Sequence, residues 1–327
     1  MIITRTPLRM SFVGGGSDIS SFYKQSEGAV VSTSINQYIY ISLNRKFDKR
    51  FRLSYSITEH ADHIKDLKHP LVRECLRLFK VSEGLEITSV ADIPSKGTGL
   101  GSSSAFTVGL IHALLRHQNK TFTQKDLSEL ACDIEINKCR EPIGKQDQYA
   151  AAFGGLNFIQ FLRDGSVKIQ KIKCDKDITL ALEERILVFY TGITRSTSSI
   201  LKEQTKNLNN KNTVVIMKKM VQLAHEMKKQ LETNNLDTLG EILHENWMLK
   251  KQLTSNISNE KIDQYYDRAI KAGASGGKLM GAGSGGFLLF LVEKDKQENV
   301  IKALKELRYK DIKFEKHGSK LIYTDNL

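Results

Sequence analysis

No apolar run in this 327-residue chain approaches the ~20 residues that a membrane-spanning helix needs, so a helical membrane protein is excluded. Met1-Ile2-Ile3-Thr4-Arg5 opens no extended apolar segment, so no signal peptide is expected and the cytoplasm is the expected compartment. Cysteine is scarce. Cys75, Cys132, Cys139 and Cys174 form no CxxC pair and no zinc-type spacing. That excludes a disulfide framework and leaves buried free thiols as the expectation. Cys132 and Cys139, seven apart, are expected on one face of a helix. His60 and His63 have no third ligand within sequence reach, so no metal role is read into them. There is no repeat of fixed period and no low-complexity tail. Positive residues exceed negative ones, for a formal net charge of +12, but they are scattered. No basic run carries interleaved aromatics and no nucleic-acid motif appears, so nucleic acid is not an expected partner. The charge instead suits a protein that handles phosphorylated small molecules.

What the chain has in place of these is glycine in clusters. The most informative is Pro94-Ser95-Lys96-Gly97-Thr98-Gly99-Leu100-Gly101-Ser102-Ser103-Ser104-Ala105. An apolar pattern at helical spacing follows it, through Val108, Ile111, Leu114 and Leu115. A glycine-rich loop entering a helix makes an anion site: glycine admits close backbone approach, and the first helical amides have no intrahelical partner. Serine hydroxyls add donors for phosphate and ligands for a magnesium ion. Lys96, Gly97, Gly99, Leu100, Gly101, Ser102, Ser103 and Ser104 are therefore the candidate residues for binding a phosphorylated cofactor.

Length and composition predict two domains of an ordinary soluble globular protein, 40% hydrophobic and 26% charged. Met1 to Phe12, Ala29 to Leu43 and Leu85 to Ile93 read as strands. Two helices follow the glycine loop. The second starts at a capping box, Thr123 to Asp126, and carries Leu127, Leu130, Ala131 and Ile134 on one face. Leu156 to Leu162 and Val167 to Ile172 read as strands around a turn at Asp164-Gly165. From about Ile200 to Ala272 the chain is helical, charged and free of proline, with Gly273 as the closing cap. The stripes Val214, Met217, Val221, Ala224 and Leu236, Leu239, Leu243, Trp247 are expected to face a core. A strand at Phe287 to Val292, a helix near Val300 to Leu307 and two short strands complete the chain. The boundary between domains is placed near Lys173 to Leu182. Strands and helices mix without strict βαβ alternation, which predicts an α+β architecture of two domains with a ligand cleft between them.

Two further clusters bear chemistry. Lys278-Leu279-Met280-Gly281-Ala282-Gly283-Ser284-Gly285-Gly286 contains a formal GxGxxG, but a helix is expected before it and a strand after it, which is wrong for a dinucleotide site. No complete Walker sequence is present either. Close approach of backbone to a ligand or to the first domain is expected there, with Gly283 and Ser284 as candidate substrate contacts. The other cluster is Thr6-Pro7-Leu8-Arg9-Met10-Ser11-Phe12-Val13-Gly14-Gly15-Gly16-Ser17-Asp18. Arg9 could face a transferring phosphoryl group, and Asp18 could accept hydrogen bonds from sugar hydroxyls, with Gly15, Gly16 and Ser17 beside it. Glu135 sits on an otherwise apolar inner helix face. Pro142-Ile143-Gly144 turns the chain to present Lys145, Gln146 and Asp147. Phosphoryl transfer to a hydroxyl needs an in-line acceptor, neutralised charge and a proton sink. Asp147 can be the sink, Arg9 the charge partner, and Glu135 with a serine hydroxyl can hold magnesium.

These three clusters resemble the three motifs of the GHMP kinase superfamily, and the GLGSSSA string is close to that family's phosphate loop. The resemblance spans Thr6 to Phe287. It implies a two-domain α+β GHMP kinase-like fold with the active site between a first domain, 1–175, and a ferredoxin-like second domain, 176–327. It implies ATP and Mg2+ as cofactors. By motif position Ser103 and Glu135 resemble the magnesium ligands, Asp147 the catalytic aspartate, Arg9 the first-motif arginine and Asp18 the sugar-binding aspartate. Thr6 to Asp18, Lys145 to Gly155, and Thr191-Gly192-Ile193-Thr194-Arg195-Ser196 resemble the branch of D-glycero-D-manno-heptose 7-phosphate kinases, which phosphorylate the anomeric hydroxyl. An acceptor that already carries phosphate needs cations, and Lys145 and Arg195 lie in the relevant segments. The expected partners are thus ATP and a sugar phosphate, with no nucleic acid and no membrane; a homo-oligomer is left open. Two alternatives stand: a kinase of another sugar such as fucose or galactose, and an ATP- and sugar-binding sensor without transfer.

Overall fold

β-Branched and aromatic residues crowd the first 45 positions, and they pair there as two long strands. In the computed structural model, which describes residues 1–94, 97–193, 197–208 and 210–325, β1 (Ile2–Val13) runs antiparallel to β2 (Gly28–Arg45). Their register runs from Ile2 opposite Leu43 to Val13 opposite Val31. The chain adds β3 (Phe51–Ser54), β4 (Thr58–Ala61), β5 (Leu85–Ala91), β6 (Leu156–Phe161) and β7 (Val167–Lys171) to the same sheet. At 18 residues, β2 is long enough to take two neighbours on its other edge, β5 along its second half and β6 along its first. β3 and β5 pair in parallel; the other pairs in the sheet are antiparallel.

Among the described residues, the α-helices of this half are α1 (Ser20–Tyr23), α2 (Pro70–Leu78), α3 (Ser102–His117), α4 (Gln124–Cys132) and α5 (Gln146–Phe153). The central one, α3, is buried nearly all round, as its apolar composition requires. Val108, Ile111 and Leu114 pack with Leu8, Met10 and Ile41 of the sheet in the main core. Each such side chain contributes about 1.5–3 kcal/mol. Thr4 Oγ1 donates to the Gly109 carbonyl at 2.9 Å, so the helix lies close over β1. The capping box at Thr123 forms in both directions: Asp126 N–H donates to Thr123 Oγ1 and Thr123 N–H to Asp126 Oδ2.

The second half contributes α6 (Lys176–Glu184), β8 (Ile186–Tyr190), α7 (Thr197–Asn207), α8 (Lys211–Glu232), α9 (Leu239–Lys251), α10 (Glu260–Lys271), β9 (Ala274–Leu279), β10 (Phe287–Val292), α11 (Gln297–Ala303) and β11 (Arg308–Lys310). Its sheet is antiparallel in the order β11-β8-β10-β9. Strand, helices, two strands, helix, strand in that order is the split βαβ arrangement. Met217, Ala224, Leu239, Leu243 and Trp247 of the two stripes are buried in the cores, and the tilted rings of Trp247, Tyr266 and Phe290 follow one another with centroids 6.2 and 5.7 Å apart.

Several expectations are corrected. The boundary expected near Lys173 to Leu182 is not among them; α6 begins at Lys176 within that segment. The tail does not stay with 176–327: β12 (Lys320–Thr324) returns to the first sheet and pairs with β1, Ile2 opposite Thr324. The last glycine cluster joins strand to strand, β9 to β10, because β-pairing of Ala274–Leu279 overrides its glycine content. Residues 44–84, for which the sequence pattern gives no element, hold β3, β4 and α2. Cys132 and Cys139 do not share a face. The helix widens into a π-helical turn, Asp133–Lys138, between them, and the two thiols pack in different clusters.

The return of β12 has a titratable anchor. Ser319 Oγ lies 2.8 Å from Thr6 Oγ1 and 2.9 Å from His112 Nδ1. Burial, helped by Arg116, holds the His112 pKa down to about 4 from 6.5. The unfolded imidazole takes a proton at a pH where the folded one refuses it. Stability from this residue is therefore complete above pH 6.5 and lost as pH falls toward 4, by on the order of 3 kcal/mol. His112→Gln is expected to flatten the fall of Tm between pH 7 and pH 4.5. Equal falls in variant and wild type would remove His112 as a source of acid sensitivity.

Candidate active site

The glycine-rich loop lies where it can serve an anion. Gly101 caps α3 with φ +77°, and the first helical turn, Ser102 to Ser104, follows directly. Gly97, Gly99, Gly101, Ser102, Ser103 and Ser104 line a cleft of about 700 Å³. Lys96 lies outside the described residues. Leu100 turns the other way; its side chain is buried in the core while its carbonyl accepts from Arg9 N–H at 3.1 Å. It supports the loop and does not face the cleft.

That hydrogen bond ties the loop to β1 beside a charged pair. Arg9 Nε donates to Asp147 Oδ1 at 2.8 Å and Nη2 to Oδ2 at 2.7 Å, a two-pronged contact. Arg9 Nη1 donates to the Gly99 carbonyl at 2.6 Å. Asp147 stands in the first turn of α5, where a negative charge suits the helix dipole. Both residues line the cleft. An ionised carboxylate has about four acceptor positions, and Arg9 uses two, so Asp147 keeps capacity for a hydroxyl in the cleft.

Glu135 sits behind the serines on the π-helical turn, an irregularity that recurs at functional sites. It is fully buried. Ser103 Oγ donates to its Oε1 at 3.1 Å, Ser104 Oγ to Oε2 at 2.7 Å, and Gln148 Nε2 to Oε2 at 2.5 Å. Burial pushes its pKa up to about 7, against the pull of those three donors. Among the described residues no cage of three His, Cys, Asp or Glu side chains exists. A hard cation that keeps its own waters needs none, and the Ser103 hydroxyl with the Glu135 carboxylate is a donor set of that type.

Gly15, Gly16, Asp18 and Gln146 also line the cleft. Asp18 Oδ1 accepts from Gly16 N–H at 3.0 Å and Gln146 Nε2 at 3.1 Å, and Oδ2 from Gln146 N–H at 3.2 Å. Burial first, then the nearby Asp147 charge, raises its pKa. Gly144 is what lets this carboxyl in: a Cβ there would lie 1.9 Å from Asp18 Oδ2.

Other expected residues face elsewhere. Ser17 is a strap; its hydroxyl donates to the Gly14 and Ala29 carbonyls and accepts from Ala29 N–H. Lys145 turns away from the cleft, donating Nζ to the Gly165 carbonyl at 2.5 Å above the Tyr23 ring. Ser284 N–H donates to the Ile257 carbonyl at 2.8 Å and its hydroxyl to that of Asn256, and Gly283 packs on the same turn. Arg195 lies outside the described residues.

The last glycine cluster closes the cleft by touching the first. At Gly281, φ +72°, a Cβ would lie 2.4 Å from Gly99 Cα. Two backbones meet there with no space for a side chain. Gly281 and Ala282 thereby reach the cleft, and so do residues that sequence reasoning missed, Lys250, Lys278 and Gln204. Lys278 is buried and donates to the Ser11 and Phe12 carbonyls at 2.8 and 2.9 Å; burial holds its pKa well down. Lys250 is buried at the end of α9 and donates to the Gly281 carbonyl. Lys250 sits in no motif, and Lys278 opens the last glycine cluster, where only the glycines and Ser284 drew a role. Gln148 lies one residue after Asp147, and the only sequence signal for it is that a buried Glu135 must find donors.

With this geometry in hand, comparison with known proteins places it. Residues 68–155 match the model of the GHMP kinases N terminal domain, and residues 227–310 match that of the GHMP kinases C terminal. The chain is 33% identical to the D-glycero-alpha-D-manno-heptose 7-phosphate kinase of Campylobacter jejuni, covering 98% of each. It is 26% identical to a galactokinase of Pyrococcus furiosus, covering 91% of each. Among solved structures it is similar to a D-glycero-D-manno-heptose 1-phosphate kinase from Bacteroides thetaiotaomicron, with a TM-score of 0.81, 25% identity and full coverage of both chains.

Proposed function

This chain belongs to the GHMP kinase family, and we propose that it transfers the γ-phosphoryl group of ATP to the anomeric hydroxyl of a D-glycero-D-manno-heptose 7-phosphate. It is a sugar kinase; the acceptor and the residue roles are the proposal. The observation that carries them is the Arg9–Asp147 pair, locked at 2.8 and 2.7 Å in the cleft that the serine-rich start of α3 and Asp18 also line.

In this reading the triphosphate lies along Gly97 to Ser104 and accepts from the first amides of α3. Asp18 and Gln146 hold sugar hydroxyls. The anomeric oxygen attacks the γ-phosphorus, the bond to the β-phosphate oxygen breaks, and ADP leaves. The hydroxyl proton goes to Asp147. Arg9 keeps that carboxylate oriented and adds positive charge next to the transferring group. Ser103 and Glu135 would hold a magnesium ion, which supplies neutralisation of phosphate oxygens when bound. Gln148 and Ser104 keep Glu135 in place. The cytoplasm and a sugar phosphate partner belong to the same proposal.

A second reading, a kinase of a neutral sugar such as fucose or galactose, is favoured by the direction of Lys145, which was expected to grip the acceptor's phosphate and instead reaches Gly165. ADP release over a panel of hexoses, heptoses and their phosphates decides. Turnover of heptose 7-phosphate well above the neutral sugars is expected. Turnover of neutral hexoses without heptose phosphate would leave the second reading standing.

A further inference from the structure

The cleft holds a cation that the motifs do not account for. Lys250 stands in the last turn of α9, is 3% exposed as a residue, and lines the cleft. An ammonium has three donors. Among the described residues, the Gly281 carbonyl is the one acceptor Lys250 finds, and no carboxylate pairs with it. Arg9 is neutralised by Asp147 and also rests on a glycine carbonyl, that of Gly99. Gly99 and Gly281 are the two glycines in contact. The two cations therefore hang from adjoining carbonyls on either side of the seam between the loops.

Burying an ammonium with no carboxylate in contact is costly, and Asp18 and Asp147 act on Lys250 only from beyond contact distance, so an anion arriving in the cleft would complete its surroundings. One turn earlier on the same face, Asn246 accepts from Gly14 N–H at 3.0 Å, while its buried Nδ2 has no partner among the described residues. The face of α9 that meets the first glycine turn is thus polar and only partly satisfied. We infer that Lys250 is a ligand for a phosphoryl oxygen in this cleft, acting beside Arg9. This rests on the kinase reading of the cleft and assigns the cationic role once expected of Lys145.

The phosphoryl oxygen could belong to the group in transfer or to the acceptor's own phosphate, and kinetics separate these. If it is the group in transfer, Lys250→Met lowers kcat by roughly 10²–10³-fold with both KM values little changed. If it is the acceptor's phosphate, KM for the sugar phosphate rises about 10- to 100-fold while KM for ATP holds. Lys250→Arg, which keeps the charge, recovers part of either loss. Unchanged kcat and KM in Lys250→Met overturn the inference.

A further arm does not depend on which sugar is the substrate. The rise of Tm with inorganic phosphate or with ATP is expected to be weaker in Lys250→Met than in wild type, and an equal rise overturns the inference. Should Lys250→Met not fold, wild-type protein carries the test. Burial, together with Arg9, lowers the Lys250 pKa to about 8, against the pull of Asp18 and Asp147; Lys278 is the other cation facing it. Trace acetylation near pH 8 is expected to modify Lys250 less when ATP and sugar phosphate are present. The same modification with and without them overturns the inference.

Discussion

Asp147→Asn is expected to lower kcat by roughly 10²–10⁴-fold, the range that a positioned acid or base supplies. Asparagine is nearly isosteric, so the packing at the start of α5 should survive. What it loses is the ability to take a proton from the acceptor hydroxyl. It also loses the charge that neutralises Arg9, whose side chain is 5% exposed. The triphosphate groove, Gly97 to Ser104, makes its contacts elsewhere, so affinity for ATP should stay within a few-fold. Single-turnover kinetics with calorimetric ATP titration check both halves. Turnover like the wild type's would take Asp147 out of the chemistry. A matching loss of ATP affinity would make its role one of holding the loop through Arg9 and Gly99.

Gly281→Ala should be nearly as damaging, although its side chain would be one methyl group. The added Cβ would lie 2.4 Å from Gly99 Cα, where ordinary contact begins near 3.4 Å. Neither partner is a flexible side chain, so one loop must move by about 1 Å, and a misplacement of that size costs about 10²-fold in rate. The φ of +72° adds backbone strain. The loss should appear in kcat and in ATP affinity together, because the seam positions both Arg9, through the Gly99 carbonyl, and Lys250, through the Gly281 carbonyl. An active Gly281→Ala enzyme would mean that the two loops separate during the cycle and that their contact is incidental.

The parts of the site that were legible in the sequence are those in which one short segment makes its own geometry. The serine-rich loop before α3 needs only local glycine conformations and free helical amides, and both are written in consecutive residues. The capping box at Thr123 and the buried face of α3 are legible for the same reason. Asp147 could be singled out because Pro142 and Gly144 force a turn just before it. Lys145, two residues away, was misjudged by the same logic. Which side of a turn a side chain takes depends on what packs against it, and here the Tyr23 ring and the Gly165 carbonyl claim it. Ser17 and Ser284 were misjudged likewise, since a serine in a glycine cluster satisfies a nearby carbonyl as readily as a ligand. The GxGxxG string misled on its surroundings, because strand pairing of β9 with β10 is a non-local choice.

From its own order of residues the chain determined its class of chemistry: an anion loop on a helix, an arginine on a strand, a carboxylate after a turn, each specified within about a dozen positions. Tertiary structure alone decided which charges share the cleft. It joined Arg9 to Asp147 across 138 positions, set Gly99 against Gly281, and brought Lys250 from a helix of the second half to the seam. Local rules act through neighbouring backbone dihedrals and so can be read in sequence; the company a buried charge keeps is settled by packing between distant segments, which leaves no pattern along the chain.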